Sequence, residues 1–432
     1  MLLSRNRALS KFPRRNFASQ ESYIKTLEKY AAHNYNPIPV VIGRGERCFL
    51  YDTDGNKYTD FMSGYSSCNQ GHCHPELVKV MHEQAQKLTH TSRAFHTDKF
   101  AEYAEFMCKT LGYDKILPMN TGVEACETAI KLARRWAYDV KGVPDHQAHV
   151  LLPKGVFWGR SITASGASDD PSRFTRFGPF TPGFTLIDYN DLNVLEAEFK
   201  KNPNICAYMV EPIQGEAGVI IPHDGYLKGV RDLCDKYNVL FIADEVQVGF
   251  ARAGAFMCHY LSDVRPDMVI MAKALSGGMM PISGVMCDDD IMLNVKPGEH
   301  GSTFGGNALS CAVAKRAVEL VIEENMSDRA NKLGEIMLNK LSEIKSPIVK
   351  DIRGKGLFLS LELQDDVSGE GLTAECMKRF LLVKATHKTV IRMAPALVIE
   401  EDELLAAAKV LHESVLALEK NLSGGRMGVS FA

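Results

Sequence analysis

The chain predicts an α/β fold in which helices cover both faces of a mostly parallel sheet. Two observations carry this expectation. From about residue 75, short apolar runs alternate with amphipathic stretches of helical period. Residues 326–422 then change character, mixing helices with strands that no longer alternate regularly with them. With 432 residues, 45% hydrophobic and 24% charged, the chain has the composition of a globular protein of more than one unit.

The elements follow in order. Arg47 to Asp52, a turn over Thr53-Asp-Gly-Asn56 and the run Lys57 to Phe61 read as a β-hairpin. Residues 76–87 and 98–110 read as amphipathic helices, 115–119 as a strand and 124–138 as a helix. Further strands are expected at 149–152, 207–210, 239–243 and 268–271, with a helix over 225–237 between the third and fourth strands of the series. A long helix over 308–324 closes this region. A helix at 327–344, strands at 349–353 and 357–363, and then helix, strand and a terminal helix over 400–422 complete the chain. The expected organisation is a segment at 21–74 that joins the C-terminal part, a large domain at 75–325, and a smaller α+β domain at 326–425 built with both chain ends.

Met1 to Gln20 contains five Arg and Lys residues and no acid, the first carboxylate being Glu21; Ser4, Ser10 and Ser19 add serine. That is the composition of a mitochondrial transit peptide, so a matrix location is expected. The formal net charge of −3 excludes a chain-wide basic field for nucleic acid. No apolar run approaches the ~18 residues of a membrane helix. The eleven cysteines are scattered without a CxxC pair, which reads as reduced thiols. In His72-Cys73-His74 adjacent side chains diverge too far to share one tetrahedral ion, so no metal is expected.

In such a sheet ligands bind beyond the C-terminal strand ends. After the strand at 115–119, Asn120-Thr121-Gly122-Val123-Glu124 runs into a helix and presents free N–H groups, an anion site in form, although Thr-Gly can open any helix. After 239–243 come Asp244 and Glu245, which could bind a metal, pair a cation, cap a loop or hold a protonated ring nitrogen. After 268–271 comes Lys273, ahead of Ser276-Gly277-Gly278. Burial there would lower the amine's pKa and make it a nucleophile toward carbonyls. A phosphate cradle, an acid for a pyridinium nitrogen and a Schiff-base lysine together fit pyridoxal 5′-phosphate (PLP).

The chain also resembles the class III (ω-amino) aminotransferases of fold type I, over about residues 28–415. The resemblance rests on Ala32-His-Asn-Tyr-Asn-Pro37, Asn69-Gln-Gly-His-Cys-His-Pro75, Leu117-Pro-Met-Asn-Thr-Gly-Val-Glu-Ala125, Phe157-Trp-Gly-Arg160, Val210-Glu-Pro-Ile-Gln-Gly-Glu-Ala-Gly218, Asp244-Glu-Val-Gln247, Lys273-Ala-Leu-Ser-Gly-Gly278 and His300-Gly-Ser-Thr303. It implies that Lys273 bonds PLP and shuttles protons, and that Asp244 pairs the ring nitrogen. Gln247 would meet the phenolic oxygen, Gly122 and Val123 the phosphate, and Phe157 would stack on the ring. Thr303 would reach across from a partner subunit, making a homodimer or higher oligomer. Within the class, the resemblance to ornithine-specific members implies transfer of the δ-amine of L-ornithine to 2-oxoglutarate. Tyr35, Tyr65 and Arg160 would hold the amino acid end, and Glu216 would mask Arg392 until a diacid displaces it. N-acetylornithine or 4-aminobutyrate as donor, or a non-catalytic homologue, are the alternatives. The sequence departs from the family's usual residues at Phe304, Ala308, Ala396, Val248, Ala253 and Met279-Met280, positions that bear on pocket shape and not on the chemical groups.

Overall fold

The computed structural model describes residues 19–424; all but the last two residues of the predicted transit peptide lie outside them. Near the N-terminus, β1 (Ile42–Glu46), β2 (Phe49–Asp52) and β3 (Lys57–Asp60) form an antiparallel ribbon. The expected hairpin is its β2–β3 part, turned by Asp52, whose Oδ1 accepts from the N–H groups of Asp54 and Asn56.

The central sheet contains β4 (Lys115–Met119), β5 (His149–Pro153), β6 (Phe184–Ile187), β7 (Ile205–Val210), β8 (Leu240–Asp244), β9 (Met268–Met271) and β10 (Ser283–Cys287), in the order β4-β10-β9-β8-β7-β5-β6. Only β10 runs against the others, pairing antiparallel with β4 and β9. Every residue of β7, β8, β9 and β10 is buried. Burial on both faces removes the period-two signal, which is why β10 is not apparent in the sequence; β6, a half-buried edge strand of four residues, is too short to show one. Helix Gly122–Trp136 packs its apolar side on one face, and helices Leu192–Lys201 and Tyr226–Tyr237 cover the other. The first of these starts at Gly122, two residues before the expected position, because a capping box of Thr121 and Glu124 sets its beginning.

The C-terminal part holds β11 (Val349–Lys355), β12 (Phe358–Leu363), β13 (Leu381–Leu382), β14 (Lys384–Thr386) and β15 (Val390–Met393). Strands β11-β12-β15-β14 form an antiparallel sheet flanked by helices Met326–Leu341 and Gly369–Met377, on which the terminal helix Glu401–Ser423 packs in turn. β13 instead joins β3 in parallel, so the N-terminal ribbon is completed by a strand from the far end of the chain.

These parts meet at Arg252, which is fully buried. Its Nη1 donates to the carbonyls of Leu357 (2.9 Å) and Pro395 (2.6 Å), and its Nη2 to Asn69 Oδ1 (2.6 Å). Asn69 Nδ2 returns a bond to the carbonyl of Phe250 (2.8 Å). One side chain therefore ties the loop after β8 to both other parts, although burial pushes its pKa down to about 9. Arg252→Met leaves these acceptors unpaired and should lower stability by about 3 kcal/mol. The check is the urea midpoint; an unchanged midpoint contradicts the clasp.

Candidate active site

The parallel strands end on one edge of the central sheet, and that edge carries the chemistry. A cavity of about 550 Å³ is lined by Gly122 and Val123 after β4, Phe157 after β5, Glu211 after β7, Asp244 at the end of β8 and Lys273 after β9. A second cavity of about 330 Å³, lined by Tyr35, Tyr65, Arg160, Glu216, Thr386 and Arg392, shares Phe157, Gln247 and Lys273 with the first. Lys273 thus stands where an inner chamber meets an outer one.

The inner chamber is built for an anion at one end. Glu124 accepts from the Thr121 N–H (2.7 Å) and its own N–H donates to Thr121 Oγ1 (3.3 Å), while the Ala125 N–H is taken by the Thr121 carbonyl. The N–H groups of Gly122 and Val123, two residues that line the cavity, have no acceptor among the described residues. They add to the positive end of the helix dipole. Gly159 keeps this cradle open: at its φ of +139°, a Cβ would sit 2.4 Å from Val123 Cγ2.

At the other end lies a carboxylate with no ion pair among the described residues. Asp244 is 4% exposed, accepts from the Val246 N–H (3.0 Å) and from Cys126 Sγ (3.6 Å), and burial pushes its pKa up to about 6. Glu211, also buried, accepts from the N–H groups of Phe157 (3.1 Å) and Gly215 (3.0 Å), and is raised to about 7 by burial and then by Asp244. Lys273 sits at φ +40°, a strained conformation for a residue with a Cβ, of the kind held at functional sites. Burial, and after it the Arg392 charge, lowers its amine to about 8. At neutral pH a usable fraction of it is the nucleophilic free base.

In the outer chamber Arg392, on the interior strand β15, lies opposite Ser360 on β12 and Lys384 on β14. Its Nη1 meets Glu216 Oε2 at 3.2 Å and Gln247 Oε1 at 3.5 Å, and its guanidinium lies 5.2 Å from the Tyr65 ring. Gly215 makes room for Gln247, since a Cβ there would come within 1.8 Å of Oε1. Arg160 is exposed, with its guanidinium 5.8 Å from the Phe157 ring, and Tyr35 is 68% exposed at the rim.

Of the twelve residues singled out in the sequence, the structure brings eleven to these two chambers. Thr303 is exposed and lines neither chamber of its own chain. Glu211 was missed, although it follows β7 just as Lys273 follows β9, so the strand-end rule could have found it. Arg173, Cys126 and Thr386 had no local signal. Among the departures, Met279 and Met280 line the inner chamber and Phe304 is exposed with its ring stacked on His90 (4.5 Å), whereas Val248, Ala253, Ala308 and Ala396 are packed in the interior.

The model of the family described as aminotransferase class-III matches residues 30–415. The chain belongs to that family. It is 50% identical over 422 residues to a probable mitochondrial ornithine aminotransferase of Caenorhabditis elegans, covering 97% of this chain and all of that one. Among solved structures, the ornithine aminotransferase of Toxoplasma gondii superposes with a TM-score of 0.93 at 42% identity, over 94% of this chain and 97% of that one. The acetylornithine aminotransferase of Elizabethkingia anophelis superposes with a TM-score of 0.85 at 45% identity, over 92% and 99%. Class III aminotransferases depend on PLP, and this chain's residues fit it: two orphaned N–H groups for its phosphate, and an unpaired buried carboxylate for a protonated ring nitrogen.

The lowered amine of Lys273 gives a pH prediction. Only its neutral form can capture an aldehyde, so the rate at which apoenzyme takes up PLP should rise with pH through about 8 and then level. Stopped-flow absorbance measures it; a midpoint near ~10, the ordinary lysine range, contradicts the effect of burial.

Proposed function

We propose that the chain transfers the δ-amino group of L-ornithine to 2-oxoglutarate, giving glutamate 5-semialdehyde and glutamate. The observation that carries this reading is the Glu216–Arg392 pair beside Lys273. PLP, when bound, supplies the electron sink and accepts the amino group from one substrate for the other.

The chain's own residues select which amine reacts. Ornithine brings one carboxylate, at the end away from its δ-amine. Arg160, with Tyr35 and Tyr65, holds that end at the rim, so the δ-amine points inward to Lys273 Nζ. A bare Arg392 beside the reacting amine would instead draw the α-carboxylate inward and present the wrong nitrogen; Glu216 neutralises it. The diacid needs two cations. Its distal carboxylate goes to Arg160, and the one beside the keto group displaces Glu216 from Arg392, a site where a planar guanidinium can bind bidentately. Lys273 Nζ, neutral for part of the time at pH 7, takes the proton from the substrate carbon and returns it on the other side of the transfer. Asp244 holds the ring nitrogen protonated, and Glu211 anchors the Phe157 and Gly215 backbone that frames both chambers.

N-acetylornithine is the second reading. Phe304 favours it, since the family's ornithine-specific members usually have Tyr there, and so does the likeness to the Elizabethkingia protein. Exposed Thr303 supports a homodimer that shares its sites, and the acid-free residues 1–20 support mitochondrial import, the location named for the nematode relative. Light scattering and import of a reporter carrying residues 1–30 check these two; a monomer, or a reporter left outside, contradicts them.

The deciding experiment mixes holoenzyme with L-ornithine, N-acetylornithine or 4-aminobutyrate and follows loss of the visible band of the lysine-bound cofactor. Ornithine alone should discharge it quickly. Lys273→Ala should abolish turnover, and Glu216→Ala should raise the preference for glutamate over ornithine about tenfold or more. Fast discharge only by another amine would overturn the ornithine reading.

A further inference from the structure

Glu216 touches two arginines. Beyond Arg392, its other oxygen, Oε1, lies 3.8 Å from Nη2 of Arg173. Arg173 is only 7% exposed, in the short helix Pro171–Phe174 capped by Asp170. It is held on three sides. Nη1 donates to the Val156 carbonyl (3.1 Å), Nε lies 3.2 Å from Asp170 Oδ2, and the guanidinium stands 4.8 Å from the Phe157 ring. Those contacts leave Nη2 for Glu216. Arg173 does not line the chamber that contains Arg392 and Arg160; it borders a separate hollow with Gly155, Ala217 and His387. Glu216 therefore stands between the substrate chamber and Arg173.

This placement solves a problem posed by the proposed function, on which the inference rests. When a diacid takes Arg392, the Glu216 carboxylate loses its closest cation inside a partly desolvated site. A displaced carboxylate with no new partner would resist displacement and weaken diacid binding. Thr386 Oγ1, near both the Glu216 carbonyl (3.2 Å) and Oε1 (3.4 Å), offers only a neutral hydroxyl. We propose that Arg173 is the cation onto which Glu216 is handed when a dicarboxylate occupies Arg392, and that it thereby sets the enzyme's affinity for the diacid substrate. Arg173 is a positioning residue, since it acts through Glu216 and touches no substrate. Its removal stabilises the masked state relative to the open one, so diacids must lose more than ornithine.

The test is calorimetric binding of glutarate, a diacid without a keto group, to holoenzyme. Arg173→Gln should weaken glutarate roughly tenfold, the scale of one charge-assisted contact, and Arg173→Lys should recover most of the loss. In a Glu216→Ala background the same Arg173→Gln change should have no effect, because nothing remains to be handed over. Equal weakening in both backgrounds, or no weakening with Glu216 present, overturns the inference. Should Arg173→Gln fail to fold, Arg173→Lys compared across the two backgrounds carries the same contrast at smaller amplitude: a difference of zero overturns it. If the wild-type enzyme discharges with ornithine yet does not bind glutarate, the diacid half of the function falls and takes this inference with it. Failure of ornithine itself, with glutarate bound normally, strikes only the donor assignment.

Discussion

Gathering ionisable side chains at the edge of one sheet, out of water, is the constraint on which the rest of this structure depends. Asp244, Glu211 and Lys273 follow or end three adjacent strands, β7, β8 and β9. Burial drives the two acids up and the amine down, each away from its charged form. Such a cluster persists only if backbone N–H groups hold it and the fold around it does not yield. Phe157, Gly215 and Val246 supply the N–H groups, and strands buried along their whole length supply the rigidity. The reactive state of Lys273 is thus a product of the sheet and not of the lysine alone.

The outer chamber works by a different physics. There the charges are paired, and on the proposed function the pairing is conditional. Glu216 sits in a loop and Arg392 on a strand of the C-terminal sheet, so the pair crosses from one part of the molecule to the other. The buried clasp of Arg252 fixes the same junction from behind. On the proposed function, rigid support for a movable carboxylate would let one pocket accept a substrate with one carboxylate at its far end and then a substrate with two.

Much of this was legible in the sequence because strand-end geometry is local. A strand followed by a charged or Gly-rich turn pointed to Asp244, Lys273 and the Gly122-Val123 cradle without any comparison. The roles proposed for Tyr35, Tyr65, Arg160, Glu216 and Arg392 came only through resemblance, since these residues come from five separate stretches that long-range packing brings together. Arg173 was not readable at all: it lies in a four-residue helix too short to show a period, and its burial follows from the Phe157 ring and the Val156 carbonyl packing against it. In the same way β10 hid because a central strand of small and apolar residues shows no alternation. The tandem His72 and His74 also resolve in three dimensions, one to Asp60 and the other to Glu324.

The central claim is that the charge arrangement presents the distal amine of the donor, not the α-amine, to Lys273. L-ornithine carrying heavy nitrogen only in its δ-amine, incubated with the enzyme and 2-oxoglutarate, tests this directly by mass spectrometry of the glutamate formed. The arrangement of Arg160, Glu216 and Arg392 predicts that the label appears in glutamate. Glutamate without the label, with heavy nitrogen retained in the keto product, would show that the α-amine is the one transferred and would contradict the account.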